Sequence, residues 1–449
     1  MKQQVFNLRN LTCAIFSTLA VTSFNTQAAV SEEEAHLLGN TLTPIGAEKA
    51  GNADGSIPSW EGGLTTVIEK GQNPFSDEKP LYVITNANKD QYKDLLSPGQ
   101  IALFNKYSDT YSMPVYQSHR TAALPQKIYD KAKANALTAT VKNGAAANFD
   151  EAVPFPIPKT GEEVVWNHLL RYRGGTASRD IMQAAVQSNG DYTPVKMSDE
   201  FIFPWYMKGG FDPKKDENIL FYFKQQIKSP ARLTGTTLLV HETLDQISQP
   251  RLAWIYNSGQ RRVRRAPQVA YDGPGTAADG LRTSDNYDMF NGATDRYDWK
   301  LVGKKELLIP YNSFEFSSVK YDDLIQAGHV NPEHTRYEKH RVWVVEATLK
   351  EGERHIYAKR TLFVDEDTWQ ISVVDHYDGR GEIWRVAEAH ALQYTSATVP
   401  WSAGEIIHDL QSGRYIAMGL TNEEKPVNFE FQASHKDYTP SALRRNAKR

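Results

Sequence analysis

Cysteine is nearly missing from this sequence. The single thiol, Cys13, lies in an N-terminal stretch that reads as an export signal, so the processed chain would carry none. That excludes a disulfide scaffold, a cysteine nucleophile and a cysteine-based zinc site. Cys13 is no lipidation site either, because "RNLTC" precedes the apolar run instead of following it. Long hydrophobic runs are also missing: after "LTCAIFSTLAVTSF" nothing approaches the roughly 20 residues of a membrane span. Neither sign of charge dominates. The net charge is −3, which argues against general nucleic-acid binding, where Lys and Arg accumulate along a face. Catalytic signatures are lacking as well. There is no G-x-S-x-G elbow, no phosphate-binding P-loop and no G-x-G-x-x-G. "HETLD" at His241 lacks the second histidine of a zinc protease and has the two-residue period of a strand. No catalytic residue, metal ligand or cofactor is therefore assigned. Stability must come from burial, and the chain is long enough for a large core in one domain or two.

What is present begins with the signal. Lys2 and Arg9 supply a positive n-region, and Thr26 and Ala28 stand at the −3 and −1 positions of a cleavage site. Three segments are expected: a signal peptide over 1–28, an irregular wrapping segment over 29–95, and helices plus an antiparallel β domain over 96–449. Such a signal marks a chain for export. Gly, Pro, Asn and Asp crowd "GNADGSIPSWEGGL" and "GQNPFSDEKP", the composition of turns and loops. "SPGQIALFNKYSDTY", "PQKIYDKAKANALTATVKN" and "TGEEVVWNHLLRYRG" read as helices, the first opened by a Ser cap and Pro98, the last closed by Gly174 and Gly175.

From about residue 176 the period becomes two. "TASRDIMQAAVQ", "EFIFPWYMKGG", "NILFYFKQQIKS" and "ARLTGTTLLVHETLDQ" read as strands, with Ile219, Phe221, Phe223 and Ile227 on one face. "RLAWIYNSGQRRVRRAP" is a hairpin turning at Asn257–Gly259. Further strands follow in "HRVWVVEATLK", "RHIYAKRTLFVDEDTWQISVVDHYD" and "EIWRVAEAHALQY". Short strands joined by tight turns make an antiparallel meander. Aromatic residues, 11% of the chain, suit a large inner surface. In the hairpin, alternation puts Arg262 and Arg264 on one face and Arg261, Val263 and Arg265 on the other. One pair is expected to be solvated. The other should lie beside aromatic surface and meet the acidic loop that follows or a ligand head group.

Two further stretches carry candidate chemistry. "HVNPEHTRYEKH" holds His329, His334, His340, Glu333 and Glu338, at a spacing that matches no standard zinc pattern and reads as a turn with surface histidines. Residues 271–298 carry Asp272, Asp279, Asp285, Asp288, Asp295 and Asp298 without the spacing of an EF-hand. A structureless connection beyond about 12–15 residues is uncommon and often serves as a lid. Asp285, Met289 and Phe290 are its candidate contact residues.

"WIYNSGQRRVRRAP", "YDGPGTAADGLRTSDNYDMFNGATDRYDWKLVGKKE", "RVWVVEATLKEGERHIYAKRTLFVDEDTWQ" and "GEIWRV", with "AGNADGSIPSWEGG" upstream, together resemble the Gram-negative family called domain of unknown function 1329. That family is grouped with LolA/LolB-like outer-membrane lipoprotein-sorting proteins. The resemblance implies an α+β, mostly β fold: a large curved antiparallel sheet, or half-barrel, with helices covering its concave side. It implies acyl-chain binding on that side and work beside an RND-type transporter and an outer-membrane protein. The chain is longer than LolA and lacks LolB's lipidated cysteine.

The function expected is thus a non-enzymatic periplasmic carrier for a hydrophobic ligand, a lipid or lipoprotein acyl chains, acting in outer-membrane transport with peripheral membrane contact. The alternatives are an accessory subunit of an RND-type exporter that binds protein partners, and a hydrolase or isomerase using dispersed Asp, Glu and His. Phe221, Phe223, Trp254, Tyr256, Trp343, Val345, Trp369 and Ile371 are the expected apolar ligand face. Arg261, Arg262, Arg264 and Arg265 are the expected head-group or partner contacts.

Overall fold

A computed structural model describes residues 30–266 and 271–446. Residues 1–28, expected to be an export signal and containing Cys13, lie outside them. Among the described residues no helix is long and apolar enough to cross a membrane.

Seventeen strands follow in chain order: β1 (Tyr82–Ile84), β2 (Met113–Val115), β3 (Thr140–Lys142), β4 (Ala145–Ala147), β5 (Thr176–Val186), β6 (Val195–Ile202), β7 (Ile219–Ser229), β8 (Thr237–Thr243), β9 (Leu252–Asn257), β10 (Arg262–Arg265), β11 (Tyr297–Pro310), β12 (Tyr337–Leu349), β13 (Lys359–Asp365), β14 (Ile371–Tyr377), β15 (Ile383–Tyr394), β16 (Val399–Asp409) and β17 (Arg414–Leu420). All but the β3–β4 hairpin join one sheet. From β12 the order runs through β13 to β17, then β5 to β10, with β11 on the other side of β12. The long pairings are antiparallel; β2 meets β12 in parallel at Tyr337 only.

The sheet is curved around a shared core. Phe221 and Phe223 of β7 and Ala253 of β9 pack in one apolar cluster with Val345 of β12, Leu362 of β13 and Ile371 of β14. Strands from opposite ends can share a core only if the sheet rolls about that face, as the right-handed twist of strands favours. The helices are α1 (Glu32–Ala35), α2 (Pro98–Lys106), α3 (Gln126–Ala136), α4 (Gly161–Leu170), α5 (Pro213–Asp216), α6 (Tyr321–Leu324) and α7 (Pro440–Asn446). The apolar α4 fills the concave side, with Val164, Val165, Trp166 and Leu169 in the same core. Gly161 lets it approach β11: a Cβ there would come within 2.9 Å of the Trp299 carbonyl carbon. The architecture is the α+β half-barrel that the resemblance implies, and its long strands pair antiparallel as the period of two implies.

Several boundaries differ from expectation. The helix at Pro98 starts as its cap dictates, Ser97 Oγ accepting from Gln100 N while Gln100 answers to Ser97 N. It stops at Lys106, however. The next helix ends at Ala136, where the β-branched Thr140 and Val141 turn into β3. The strand after Glu200 ends at Ile202 because Pro204 opens a 3-10 turn. In β7 an irregularity between Ile219 and Phe221 moves Ile219 off the expected face. It packs instead with Tyr222, Tyr256 and Tyr438 outside the curve. Arg261 stands in the hairpin turn, at φ 51, rather than in the strand.

Candidate ligand site beneath the acidic loop

Residues 271–296, between β10 and β11, cross the concave face, and 281–292 are largely buried there. Asp285, Met289 and Phe290 are 2%, 1% and 1% exposed. The loop is therefore a plug against the sheet, anchored by charge. Arg171 Nη2 donates to Asp288 Oδ1 at 2.6 Å and Arg173 Nη1 to Asp288 Oδ2 at 2.5 Å. Both arginines follow the end of α4 in "LLRYRGG", so the helix aims its last turn at the loop. Arg360 of β13 pairs with Asp285 at 2.7 Å, and His355 reaches the same oxygen at 3.1 Å.

The electrostatics follow from this pairing. Burial alone would raise the Asp288 carboxyl, but Arg171 and Arg173 outweigh it and hold the group well below the carboxylate range. Burial keeps His168 neutral, with its ring pushed down to about 3 and Arg171 adding to the effect. Glu405 of β16 stands at the edge of the cluster. Burial, then the nearby Asp288 charge, push it up to about 7. Buried ion pairs of this kind are costly to break from one side, because the partner charge stays in low dielectric.

Beside these anchors lies a slot of about 60 Å³ between sheet and loop. Phe221, Phe223, Leu238 and Val240 form its sheet wall, and Gly275 and Tyr287 belong to its loop wall. The Tyr287 ring packs on Phe223 with centroids 5.2 Å apart. Arg282 also lines the slot and is 7% exposed. Its Nη1 donates to its neighbour, Thr283 O, at 3.3 Å, and its Nε is buried without a partner. Among the described residues no carboxylate forms an ion pair with it. Burial lowers its pKa, ahead of the attraction of Glu405. A Cβ at position 275 would lie 2.7 Å from the Arg282 guanidinium carbon, so the glycine is what lets the side chain lie flat there. Chemically, this is a small slot with an apolar sheet wall, with Gln225 and the Glu242–Arg251 pair also in its lining, beside a buried guanidinium that forms no ion pair among the described residues.

The expected apolar face is divided. Phe221 and Phe223 line the slot. Val345, Trp369 and Ile371 are fully buried in the same core, and Trp343 stacks on Trp369 at 6.1 Å with an interplanar angle of 13°. Trp254 and Tyr256 point to the opposite face, toward Tyr438 and Leu443. Arg261, Arg262, Arg264 and Arg265 are all exposed, and none forms an ion pair with the acidic loop among the described residues. The arginine that reaches the loop is Arg251, which donates to Asn291 O at 2.6 Å and pairs with Glu242 at 2.8 Å. Arg171, Arg173, Arg282 and Glu405 were not singled out by sequence. The available signal was a pair of arginines closing an apolar helix and one arginine, in "GLRTSDN", inside an acidic loop.

Among the described residues the nearest approach to a metal-ligand set is His340, Asp365 and Asp367, whose donor atoms lie within 4.8 Å of one another. Those donors are already engaged. Arg120 takes both Asp367 oxygens, at 2.6 and 2.8 Å, and Asp365 accepts from Thr368 Oγ1 at 2.6 Å. The cluster ties Arg120 to the β13–β14 turn.

A curved antiparallel sheet plugged by a helix and a charge-anchored loop defines a half-barrel class with an enclosed concave face. The chain belongs to the family described as protein of unknown function (DUF1329), whose model matches residues 83–444. It is similar to PA3922, an uncharacterized protein of Pseudomonas aeruginosa, with 58% identity over 442 residues, covering 96% of this chain and 97% of that one. Among solved structures it is similar to an outer membrane lipoprotein-sorting protein domain from Vibrio parahaemolyticus, at 13% identity and TM-score 0.43, over 64% of this chain and 98% of that one. A DUF1329 family protein from Desulfovibrio piger gives 15% identity and TM-score 0.42, over 60% and 92%. A LolA superfamily protein from Nitrosomonas europaea gives 11% and 0.37, over 63% and 98%.

Proposed function

We propose that this protein is a periplasmic carrier for an anionic amphiphile, a single acyl chain ending in a carboxylate or phosphate. The chain lies along Phe221, Phe223, Leu238 and Val240, and Arg282 receives the head group. One observation carries the reading: a buried guanidinium beside the apolar sheet wall of the slot, its Nε without a hydrogen-bond partner and, among the described residues, in no ion pair. A buried cation without a counter-charge is costly, and a bidentate carboxylate or phosphate relieves that cost.

The slot must widen, since 60 Å³ is room for about two water molecules. Asp285 and Asp288 stay anchored, so the movable part is residues 274–281. Gly275 N donates to Arg282 O at 3.1 Å. Gln183 Nε2 donates to Thr276 O and Ala277 O at 3.1 and 2.8 Å, and Arg385 Nη2 to Gly280 O at 2.8 Å. Ser284 Oγ donates to Pro274 O and Arg414 pairs with Asp279, and Ala278 and Leu281 are buried in the core, so at about 1 kcal/mol net for each bond and about 2 kcal/mol for the Leu281 side chain, lifting the segment costs about 8 kcal/mol. Burying a methylene gains ~0.8 kcal/mol. A chain of about ten methylenes only offsets the opening, whereas about fifteen leave a surplus of roughly 4 kcal/mol, to which the head group on Arg282 adds.

Native mass spectrometry after incubation with hexadecanoate, octanoate or hexadecylphosphate tests this. Hexadecanoate and hexadecylphosphate should be retained one to one and octanoate lost. Retention of none of the three, or of octanoate as well as hexadecanoate, rejects the proposal.

A further inference from the structure

Outside the curve of the sheet lies a second, open cleft of about 870 Å³. Its floor is apolar and aromatic: Ile219 and Tyr222 of β7, Leu252 at the start of β9, and Tyr438 just before α7. Its rim is cationic. Lys214 of α5, Arg265 of β10 and Lys436 are exposed, come from three separate elements, and form no ion pair among the described residues. Beyond the cleft stand further exposed cations, Arg261 in the β9–β10 turn and Arg444 and Arg445 on α7, while Arg262 and Arg264 alternate to the other face of β10. Two residues before Pro213 of the cleft wall, Phe211 is 40% exposed.

Edge protection explains part of this. β10 ends the sheet order, and charged side chains on a terminal strand discourage pairing with another chain. It does not explain why lysines from α5 and from the segment before α7 converge on the same apolar floor as Arg265. Nor does the overall balance explain it, because the chain carries a net charge of −3, whereas the cleft lining holds Lys214, Lys215, Arg265 and Lys436 against the one carboxylate of Glu217.

We infer that this cleft and the exposed cations beside it form a docking surface for an anionic phospholipid leaflet. The lysines and arginines attract lipid phosphates, while the Tyr222, Tyr438 and Leu252 floor accepts the glycerol and upper acyl region of one lipid. Aromatic rings with an exposed polar rim suit that interfacial depth. Basic side chains near an anionic surface act additively and within a Debye length, so the interaction weakens with salt. The inference stands apart from the carrier reading, because it concerns the other face of the sheet.

The test is co-flotation of the full chain, without its signal, with vesicles of phosphatidylcholine containing roughly one-third phosphatidylglycerol, against pure phosphatidylcholine vesicles. The protein should float with the anionic vesicles only, less at high salt. The double variant Lys214→Glu/Arg265→Glu should lower that partitioning roughly tenfold or more. The control Lys79→Glu/Lys320→Glu, exposed lysines elsewhere, and Arg282→Met should leave it unchanged. Unfolding midpoints establish that each variant folds. Equal binding to both vesicle types, binding unaffected by Lys214→Glu/Arg265→Glu, or an equal loss in the control variant would each overturn the inference. Because Arg282→Met reads the carrier site and the cleft variants read vesicles, failure of one proposal is distinguishable from failure of the other.

Discussion

Replacing Asp288 by Asn removes one charge and keeps the shape of the loop. The consequence follows from what remains. Arg171 and Arg173 would both be left buried, their carboxylate contacts at 2.6 and 2.5 Å gone. Breaking a buried pair from one side costs about 3–5 kcal/mol. Glu405 tempers that. The Asp288 charge is one of the causes keeping it protonated, so in the variant Glu405 ionises more readily and partly neutralises the two arginines. A loss of about 2–4 kcal/mol at pH 7 is expected. The pH dependence is specific. Asp288 is depressed in the folded state, so its contribution is full above the ordinary aspartate value of 3.8 and is withdrawn as pH falls through the folded value. Urea unfolding followed by tryptophan fluorescence should therefore show a large gap between wild type and Asp288→Asn at pH 7, and a smaller one at about pH 3. A gap under about 0.5 kcal/mol at pH 7, or one that stays constant on acidification, would refute the claim that this charge anchors the plug.

Other consequences can be checked in the same way. Glu405 is raised from 4.5 to about 7, so its contribution is full below 4.5 and lost as pH rises through the folded value; Glu405→Gln should stabilise the protein by up to about 3 kcal/mol at pH 8 and by little at pH 4, as unfolding midpoints at the two pH values would show. Ser97→Ala loses both the α2 cap and a 2.9 Å hydrogen bond to the buried Asp375, and should cost about 1–3 kcal/mol in urea unfolding. Arg261→Ala and Arg264→Ala, at exposed positions, should each change stability by less than about 0.5 kcal/mol.

The sheet was legible because alternation of apolar residues is a local signal, and a half-buried antiparallel strand shows it along its own length. The α2 start was legible for the same reason, since Ser97, Pro98 and Gln100 are neighbours. Length alone marked the acidic loop and pointed to Asp285, Met289 and Phe290, but could not tell a loop packed against the sheet from one standing off it. Contiguity drew attention to Arg261–Arg265, which the fold leaves in water. Arg171, by contrast, meets Asp288 across 117 residues and Arg173 meets it across 115. No spacing rule reaches that far; only the rolled sheet brings the end of α4 to the loop. The split of Trp254 and Tyr256 from Phe221 and Phe223 depends on which way the sheet curves, which alternation within a strand does not encode.

The central claim is that Arg282 reads an anionic head group beside the apolar sheet wall of the slot. Its most direct test is the affinity of wild type and Arg282→Met for hexadecanoate and for hexadecanol, measured by displacement of a fluorescent fatty acid at pH 8. Wild type should prefer hexadecanoate by about tenfold or more, at least ~1.4 kcal/mol. Arg282→Met should bind the alcohol as well as wild type does and lose the preference. Binding of hexadecanoate unchanged by Arg282→Met, or a wild type that binds neither compound, would contradict the account.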